Sequence, residues 1–332
     1  MVRKPTIDFS RNETLVAIVV VLFVAMTAIV DHNFLSLPTL FDLLRGAIVM
    51  GIFAIGVLLV LISGGIDVSF TAIAAFAMYS TTSLLVHFKL DIPWPFVFLL
   101  SVAIGAGLGL LNALFIAGFR LPTLIVTLGT LSIIRGFLLT FIGSQLISNL
   151  PANLRVFSRL FMIRGTTADG SFYSLPWAFA ALVIVVAVTW FLLYRTMLGR
   201  MIFALGGSLE SARRIGINVQ ATQVFVYAFV GGISGLAGII HAAMARVANP
   251  FDIVGLELSV IAAVVLGGAR LSGGYGTITG ALLGVALITL INNSLILLGI
   301  PSTWQMVVIG MLILLGTGIP AYQTKRAARR AG

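Results

Sequence analysis

The sequence predicts an all-α fold: a polytopic integral membrane bundle of about ten helices, forming one transmembrane domain over residues 1–332. Three observations carry this. Hydrophobic residues make up 60% of the chain and charged residues 9%, with a mean hydropathy of +1.15, whereas about a quarter of a soluble domain is charged. The apolar residues fall in long runs, and a helix needs about 20 such residues to cross a ~30 Å hydrocarbon core. The net charge of +10 is concentrated in the connectors between those runs. In a soluble protein that balance would suggest nucleic acid, but here it sets orientation and no nucleic-acid role follows.

The first apolar run, Leu15 to Val30, follows Arg3, Lys4 and Arg11 and resembles a signal peptide. Asp8 and Glu13 dilute its charge, however, and no small-x-small cleavage site precedes Asp31, so an uncleaved span is expected at 15–31. Further spans are expected at 43–63, 68–87, 96–117, 123–142, 176–194, 223–246, 256–270, 277–298 and 303–319.

With the N-terminus in the cytosol, the inner connectors carry Arg3, Lys4, Arg11, Arg120, Arg195, Arg200, Arg213, Arg214, Arg270, Lys325, Arg326, Arg329 and Arg330. The outer ones carry Lys89, Arg155, Arg159, Arg164 and Arg246, so thirteen basic residues stand against five, as the positive-inside rule requires. Both termini then face the cytosol, including a basic tail at 320–332. The longest outward connector, 143–175, is broken by Pro151, Asn153 and Gly170; it either meets an extracytoplasmic partner or covers the bundle. Within the spans, Gly105, Gly109, Gly231, Gly235, Gly238, Gly280 and Gly284 lie at spacings that let helix backbones approach closely, against one another or a second copy.

The polar stretch 195–222 interrupts the hydrocarbon and is expected to be a cytosolic loop with a short helix inside it. In Gly206-Gly207-Ser208-Leu209-Glu210-Ser211-Ala212-Arg213-Arg214-Ile215-Gly216, Ser208 can accept from first-turn amides and Glu210 lies at the positive end of the dipole. Arg213 and Arg214 complement the negative end, and Gly216 suits a left-handed stop. Leu209, Ala212 and Ile215 recur every three residues, on one face. So short a helix needs a surface to rest on. It is either a connector lying on lipid headgroups or a docking element for a cytosolic partner.

Polar groups inside apolar runs are the candidates for a solute pathway or gate. Asp67 follows a glycine pair in Ser63-Gly-Gly-Ile-Asp67, where it can cap the next helix, line a pathway, or do both. Arg135 lies toward the middle of its span and is expected to face protein or water. Asn112, His241, Asn292 and Asn293 can contact a polar solute or bond between helices. The glycine-rich stretch Gly267–Gly276 lacks the Gly-Lys-Ser/Thr ending of a P-loop and is expected to be a cytosolic turn. His32, His87 and His241 have no metal spacing, and the absence of cysteine removes disulfides, thiolate metal sites and thiol catalysis. No catalytic or metal-binding residue is expected.

Several strings together resemble the membrane permease subunits of ribose-type sugar ABC importers. They are Ser63-Gly-Gly-Ile-Asp-Val-Ser69, Leu121-Pro-Thr with Thr127-Leu-Gly-Thr-Leu-Ser132 and Arg135-Gly136, and Gly199-Arg through Ala212-Arg-Arg-Ile-Gly-Ile-Asn218. Ala262-Ala-Val-Val-Leu-Gly-Gly268, Leu271-Ser-Gly-Gly274, Asn292-Asn293 and Trp304-Gln305 complete them in order across nearly the whole chain. The pattern is departed from at Ser208, at Ser259 and over Gly316–Pro320.

The resemblance implies a type II ABC importer-like permease in a bacterial inner membrane, working as a dimer with an identical or related permease subunit. It implies a periplasmic sugar-binding protein outside and a separate cytosolic ABC ATPase that binds ATP and Mg²⁺, with no cofactor on this chain. It also implies that the helix within 206–216 couples the ATPase to a bundle that alternates access. The alternative is an ion-coupled secondary transporter or channel for a small polar solute. Such a protein normally carries charges deep in its spans, and only Asp67 and Arg135 are candidates here.

Overall fold

The computed structural model describes residues 12–30 and 32–297 and, beyond them, Pro301, Trp304, Val307, Gly310, Met311 and Leu314. Arg3, Lys4, Arg11, most of the span expected at 303–319 and the basic tail at 320–332 lie outside the described residues. The helices are α1 (Asn12–Val30), α2 (Leu37–Ile62), α3 (Phe70–His87), α4 (Trp94–Ala113), α5 (Thr123–Phe137), α6 (Ala152–Ser158), α7 (Ala178–Arg195), α8 (Met197–Gly207), α9 (Leu209–Arg214), α10 (Val219–Ala245), α11 (Glu257–Leu266) and α12 (Ile278–Leu297). One antiparallel hairpin, β1 (Phe161–Thr166) and β2 (Phe172–Pro176), stands outside the bundle. A π turn at Leu114–Gly118 continues α4, and another at Leu138–Ile142 continues α5.

The middle of the bundle is the C-terminal half of α2, which is apolar all round, as a helix surrounded by others must be. Every residue from Gly51 to Ile62 is buried, and α7, α10, α11 and α12 pack about it. The tightest helix pair is α4 with α10, and glycine makes it possible. A Cβ on Gly105 would lie 2.2 Å from the Gly231 carbonyl, one on Gly109 2.1 Å from that of Tyr227, and one on Gly235 2.2 Å from that of Ser101. These glycines therefore pack helices of the same chain together, and the Ser101 hydroxyl donates to the Gly235 carbonyl across the seam at 2.8 Å. Gly280 and Gly284 do the same for α12, against Gly267 and Ala263.

Among the described residues, seven of the expected spans appear as helices long and apolar enough to cross a membrane: Leu37–Ile62, Phe70–His87, Trp94–Gly118, Thr123–Ile142, Ala178–Arg195, Val219–Ala245 and Ile278–Leu295. The span expected at 256–270 is corrected. Helix α11 has 10 residues, about 15 Å at 1.5 Å per residue, which is half a hydrocarbon core. It opens on Glu257, whose carboxylate accepts from the Gly255 amide at 2.9 Å and from the Thr71 hydroxyl of α3.

The stretch 195–222 holds two helices rather than one. Thr196 caps α8 by accepting from the Gly199 amide at 3.2 Å, and Gly199, Ile202 and Leu205 turn inward at intervals of three. Arg195 and Arg200 give the segment its polar look, yet α8 is amphipathic and lies against α7 and α2. Connector 143–175 is likewise structured. Asn153 of α6 donates to the Ile92 carbonyl at 2.9 Å, Tyr79 of α3 to the Gln145 carbonyl at 2.8 Å, and Phe41 of α2 stacks on Tyr173 of β2. The hairpin therefore marks one end of the bundle, and α9 marks the other.

Candidate functional site

At the α9 end three loops meet on glycine. The C-terminus of α2 runs into Gly64-Gly65, α8 ends in Gly206-Gly207, and the α11–α12 connector brings Gly273-Gly274. Gly64, Gly273 and Gly274 have φ of +85°, +87° and +74°, the left-handed region that glycine enters freely. The backbones touch. The Gly274 amide donates to the Ile62 carbonyl at 3.0 Å, and a Cβ on Gly206 would lie 1.8 Å from that same oxygen. A Cβ on Gly273 would lie 2.7 Å from the Cα of Gly64. The root of α9 is thus joined to the central helix through main chain, with no side chain between.

Helix α9 grows from this root. Ser208 is extended and its Oγ accepts from the Ser211 amide at 3.2 Å, the Ala212 amide returns to the Ser208 carbonyl, and Gly216 closes the turn at φ +83°. Of the three apolar positions, only Ala212 is buried. Leu209 is 40% and Ile215 74% exposed, because the helix ends at Arg214 and Ile215 has left its periodicity in the C-cap. Glu210 and Arg214 pair across one turn in the open, each 77% exposed, an arrangement worth little to stability in water.

Just inside the root, Asp67 and Asn112 are brought together. Asn112 donates to the Ser69 hydroxyl at 2.7 Å, and Ser69 donates from its hydroxyl and its amide to Asp67 Oδ1, both at 2.7 Å. All three are buried. Asp67 therefore caps the start of α3 while closing a polar relay to α4. Burial pushes its pKa above the ordinary carboxylate value, against the opposing pull of the Ser69 hydrogen bonds. Thr123 and Thr127 of α5 hold the same loop, accepting from the Ile66 amide at 3.0 Å and donating to the Ile66 carbonyl at 3.2 Å.

Three other candidates converge at the hairpin end. His241, Asn292 and Asn293 line one cavity of about 600 Å³ with Asp42, Arg45 and Ser259. Asp252 stands 3.9 Å from His241, and Asn293 donates to the Thr289 carbonyl. Asp42 and Arg45 are absent from the sequence-based candidates, although a charge inside an apolar run was the signal by which Arg45 could be found. Arg135 joins neither group. It is exposed on α5 and forms no ion pair among the described residues. The same helix also exposes Gly129, Ser132, Gly136 and Thr140, one every three or four residues, and a Cβ on either glycine would meet open space.

Long apolar helices around a buried polar relay, with a cavity holding His241, Asn292 and Asn293 toward the other end, define a multi-pass membrane protein of the permease kind. The chain belongs to the family described as branched-chain amino acid transport system / permease component, whose pattern matches residues 39–316. It is similar to the Autoinducer 2 import system permease protein LsrC of Yersinia enterocolitica, 32% identical over 308 residues that cover 93% of this chain and 82% of the relative. The LsrC of Yersinia pseudotuberculosis is 33% identical over 310 residues, covering 93% and 84%. That of Salmonella typhi is 32% identical over 308 residues, covering 93% and 85%. The resemblance to sugar-type ABC importer permeases drawn from the sequence is thereby borne out.

Proposed function

We propose that this chain forms the membrane pathway of an ABC importer for a sugar or sugar-like solute, moved by alternating access and driven by a separate cytosolic ATPase. The solute class is supported by the import of autoinducer 2 that gives the relatives their name. ATP and Mg²⁺ belong to the ATPase, and this chain carries no cofactor. The α9 end faces the cytosol in a bacterial inner membrane and both termini lie on that side, which the placement of basic residues supports. The hairpin end then faces a periplasmic sugar-binding protein, and the cavity holding His241, Asn292 and Asn293 lies on the solute's side of entry.

A second permease subunit completes the pathway. The exposed line of Gly129, Ser132, Gly136 and Thr140 beside Arg135 suits neither lipid nor an empty face, and small polar residues are what a close helix partner or a polar solute needs.

The observation that carries the reading is α9: a capped helix of six residues, rooted in main chain, that turns Leu209 and Ile215 outward instead of into its own bundle. Exposed apolar side chains between charged ones are suited to a protein surface that moves them. The test is a reconstituted complex of permease, ATPase and binding protein. Replacing Glu210, or Arg213 and Arg214 together, with alanine should leave membrane insertion intact, since these side chains hold nothing inside the fold, while uptake falls relative to ATP hydrolysis. Uptake at the unsubstituted rate in both variants would refute the coupling role.

A further inference from the structure

A second cavity, of about 770 Å³, opens beside α9 and is lined by residues from four connectors. Its chemistry is one-sided. Arg120 and Arg213 both line it, no Asp or Glu does, and neither arginine forms an ion pair among the described residues. The carboxylate of Asp67, near Tyr227, turns its Oδ1 toward Ser69 instead. Glu210 on α9 is engaged by Arg214.

One further feature points to a ligand. Tyr227 lines the cavity while being only 2% exposed, and its hydroxyl has the Thr123 hydroxyl beside it but completes no hydrogen bond of ordinary geometry among the described residues. A buried hydroxyl whose bonding is left incomplete is unfavourable. Arg120 closes the helix before it at φ +58°, the left-handed position that also ends α3 at Lys89 and α10 at Arg246. Its loop is fixed from behind by Gln220, whose side-chain amide donates to the Ala117 carbonyl at 3.2 Å.

We propose that this cavity binds a phosphate-bearing anion, gripped by the guanidinium groups of Arg120 and Arg213 and bonded at its buried end by the Tyr227 hydroxyl. Guanidinium matches phosphate in a planar two-point contact, which is the recognition that two uncompensated arginines and no carboxylate provide. The volume is that of a small-molecule site and exceeds what bare phosphate fills. The ligand is therefore a phosphate ester with a polar body. A free phosphorylated polyol and a phospholipid headgroup share this chemistry.

Thermal unfolding of the purified full chain tests the proposal. In neutral detergent at fixed ionic strength, glycerol 3-phosphate should raise the unfolding midpoint and ribose should not. Arg120→Gln should weaken the apparent affinity about tenfold or more, the loss expected for one charge-assisted contact, and Tyr227→Phe about threefold. If the occupant is a lipid, nanodiscs of phosphatidylglycerol should raise the midpoint over phosphatidylcholine and abolish the response to glycerol 3-phosphate. If it is a free ester, that response should survive in both. Either pattern supports the site. No stabilisation by either probe, equal stabilisation by ribose, or affinity unchanged in both variants would overturn it. Should Arg120→Gln fail to fold, Arg120→Lys, which keeps the charge and loses the planar fork, gives the same reading.

Discussion

Gly206 and Gly207 are neighbours in α8, yet they should respond in opposite ways to the same substitution. A methyl group on Gly206 would stand 1.8 Å from the Ile62 carbonyl and 2.4 Å from the Gly274 amide. Ordinary contact begins near 3.4 Å, so the α8 terminus must retreat by about 1.6 Å from α2. That retreat wedges apart the Gly274–Ile62 hydrogen bond, a loss of about 1 kcal/mol, and adds overpacking of about 1–3 kcal/mol. The helical preference of alanine over glycine returns up to about 1 kcal/mol, leaving Gly206→Ala destabilised by about 1–4 kcal/mol. On Gly207 the methyl group meets nothing within 4 Å, so Gly207→Ala should be neutral or slightly stabilising. Denaturant midpoints in detergent measure the first difference. Uptake per ATP hydrolysed in the reconstituted complex measures the second, and should fall for Gly206→Ala alone, because only there is the root of α9 lifted off the central helix. Equal behaviour of the two variants in both assays would refute the main-chain junction.

The α4–α10 seam gives a related expectation. Gly231→Ala, whose Cβ would lie 2.3 Å from the Gly105 carbonyl, should destabilise by about 1–3 kcal/mol. The double variant with Gly105→Ala should lose less than the sum, since one separation accommodates both methyl groups; full additivity in the midpoints would count against the close approach. For Asp67, a pKa raised by burial means that the folded protein holds the proton more tightly than the unfolded chain. Its contribution to stability is then fully present below the ordinary carboxylate value of about 3.9 and is lost as pH rises through the higher folded value. Asp67→Asn should flatten that dependence, and a midpoint that falls with pH as steeply as before would refute the assignment. If Asp67 also gates the pathway, the same variant should lose uptake while keeping its level in the membrane; parallel loss of both would leave it a cap. Arg135→Gln should leave the unfolding midpoint within about 0.5 kcal/mol, as exposed substitutions do, yet reduce uptake; unchanged uptake would place Arg135 outside the pathway.

What could be read from the sequence was what length and solvent force locally. A run of 18 or more apolar residues has little choice but to become a spanning helix, and the seven long helices follow the expected runs closely. Serine before Leu209-Glu210 and glycine after Ile215 are local instructions, and α9 starts and stops on them. Where a segment's fate depends on distant neighbours, the sequence was mute. The apolar face of α8 was hidden among arginines, and α11 is shorter than the run containing it because Glu257 and the following glycines fit a half-helix packed on α2 and α12.

The same division holds at the candidate site. Asp67, Asn112, His241, Asn292 and Asn293 were recognisable singly, as polar groups among apolar ones. Their sorting into a relay at one end and a cavity at the other, with Arg135 in neither, came from helix packing. Leu209, Ala212 and Ile215 share a spacing in the sequence, but the fold buries only Ala212 and leaves the others outside. Periodicity tells which side chains can share a face; only the packed neighbours decide whether that face is covered. The sequence by itself therefore determined a helical membrane protein with a capped polar foot, and the tertiary structure decided what the foot is fastened to. It did so through glycine backbones more than 60 residues apart in the chain, Gly64, Gly206 and Gly273, whose contacts leave no side-chain signature to read.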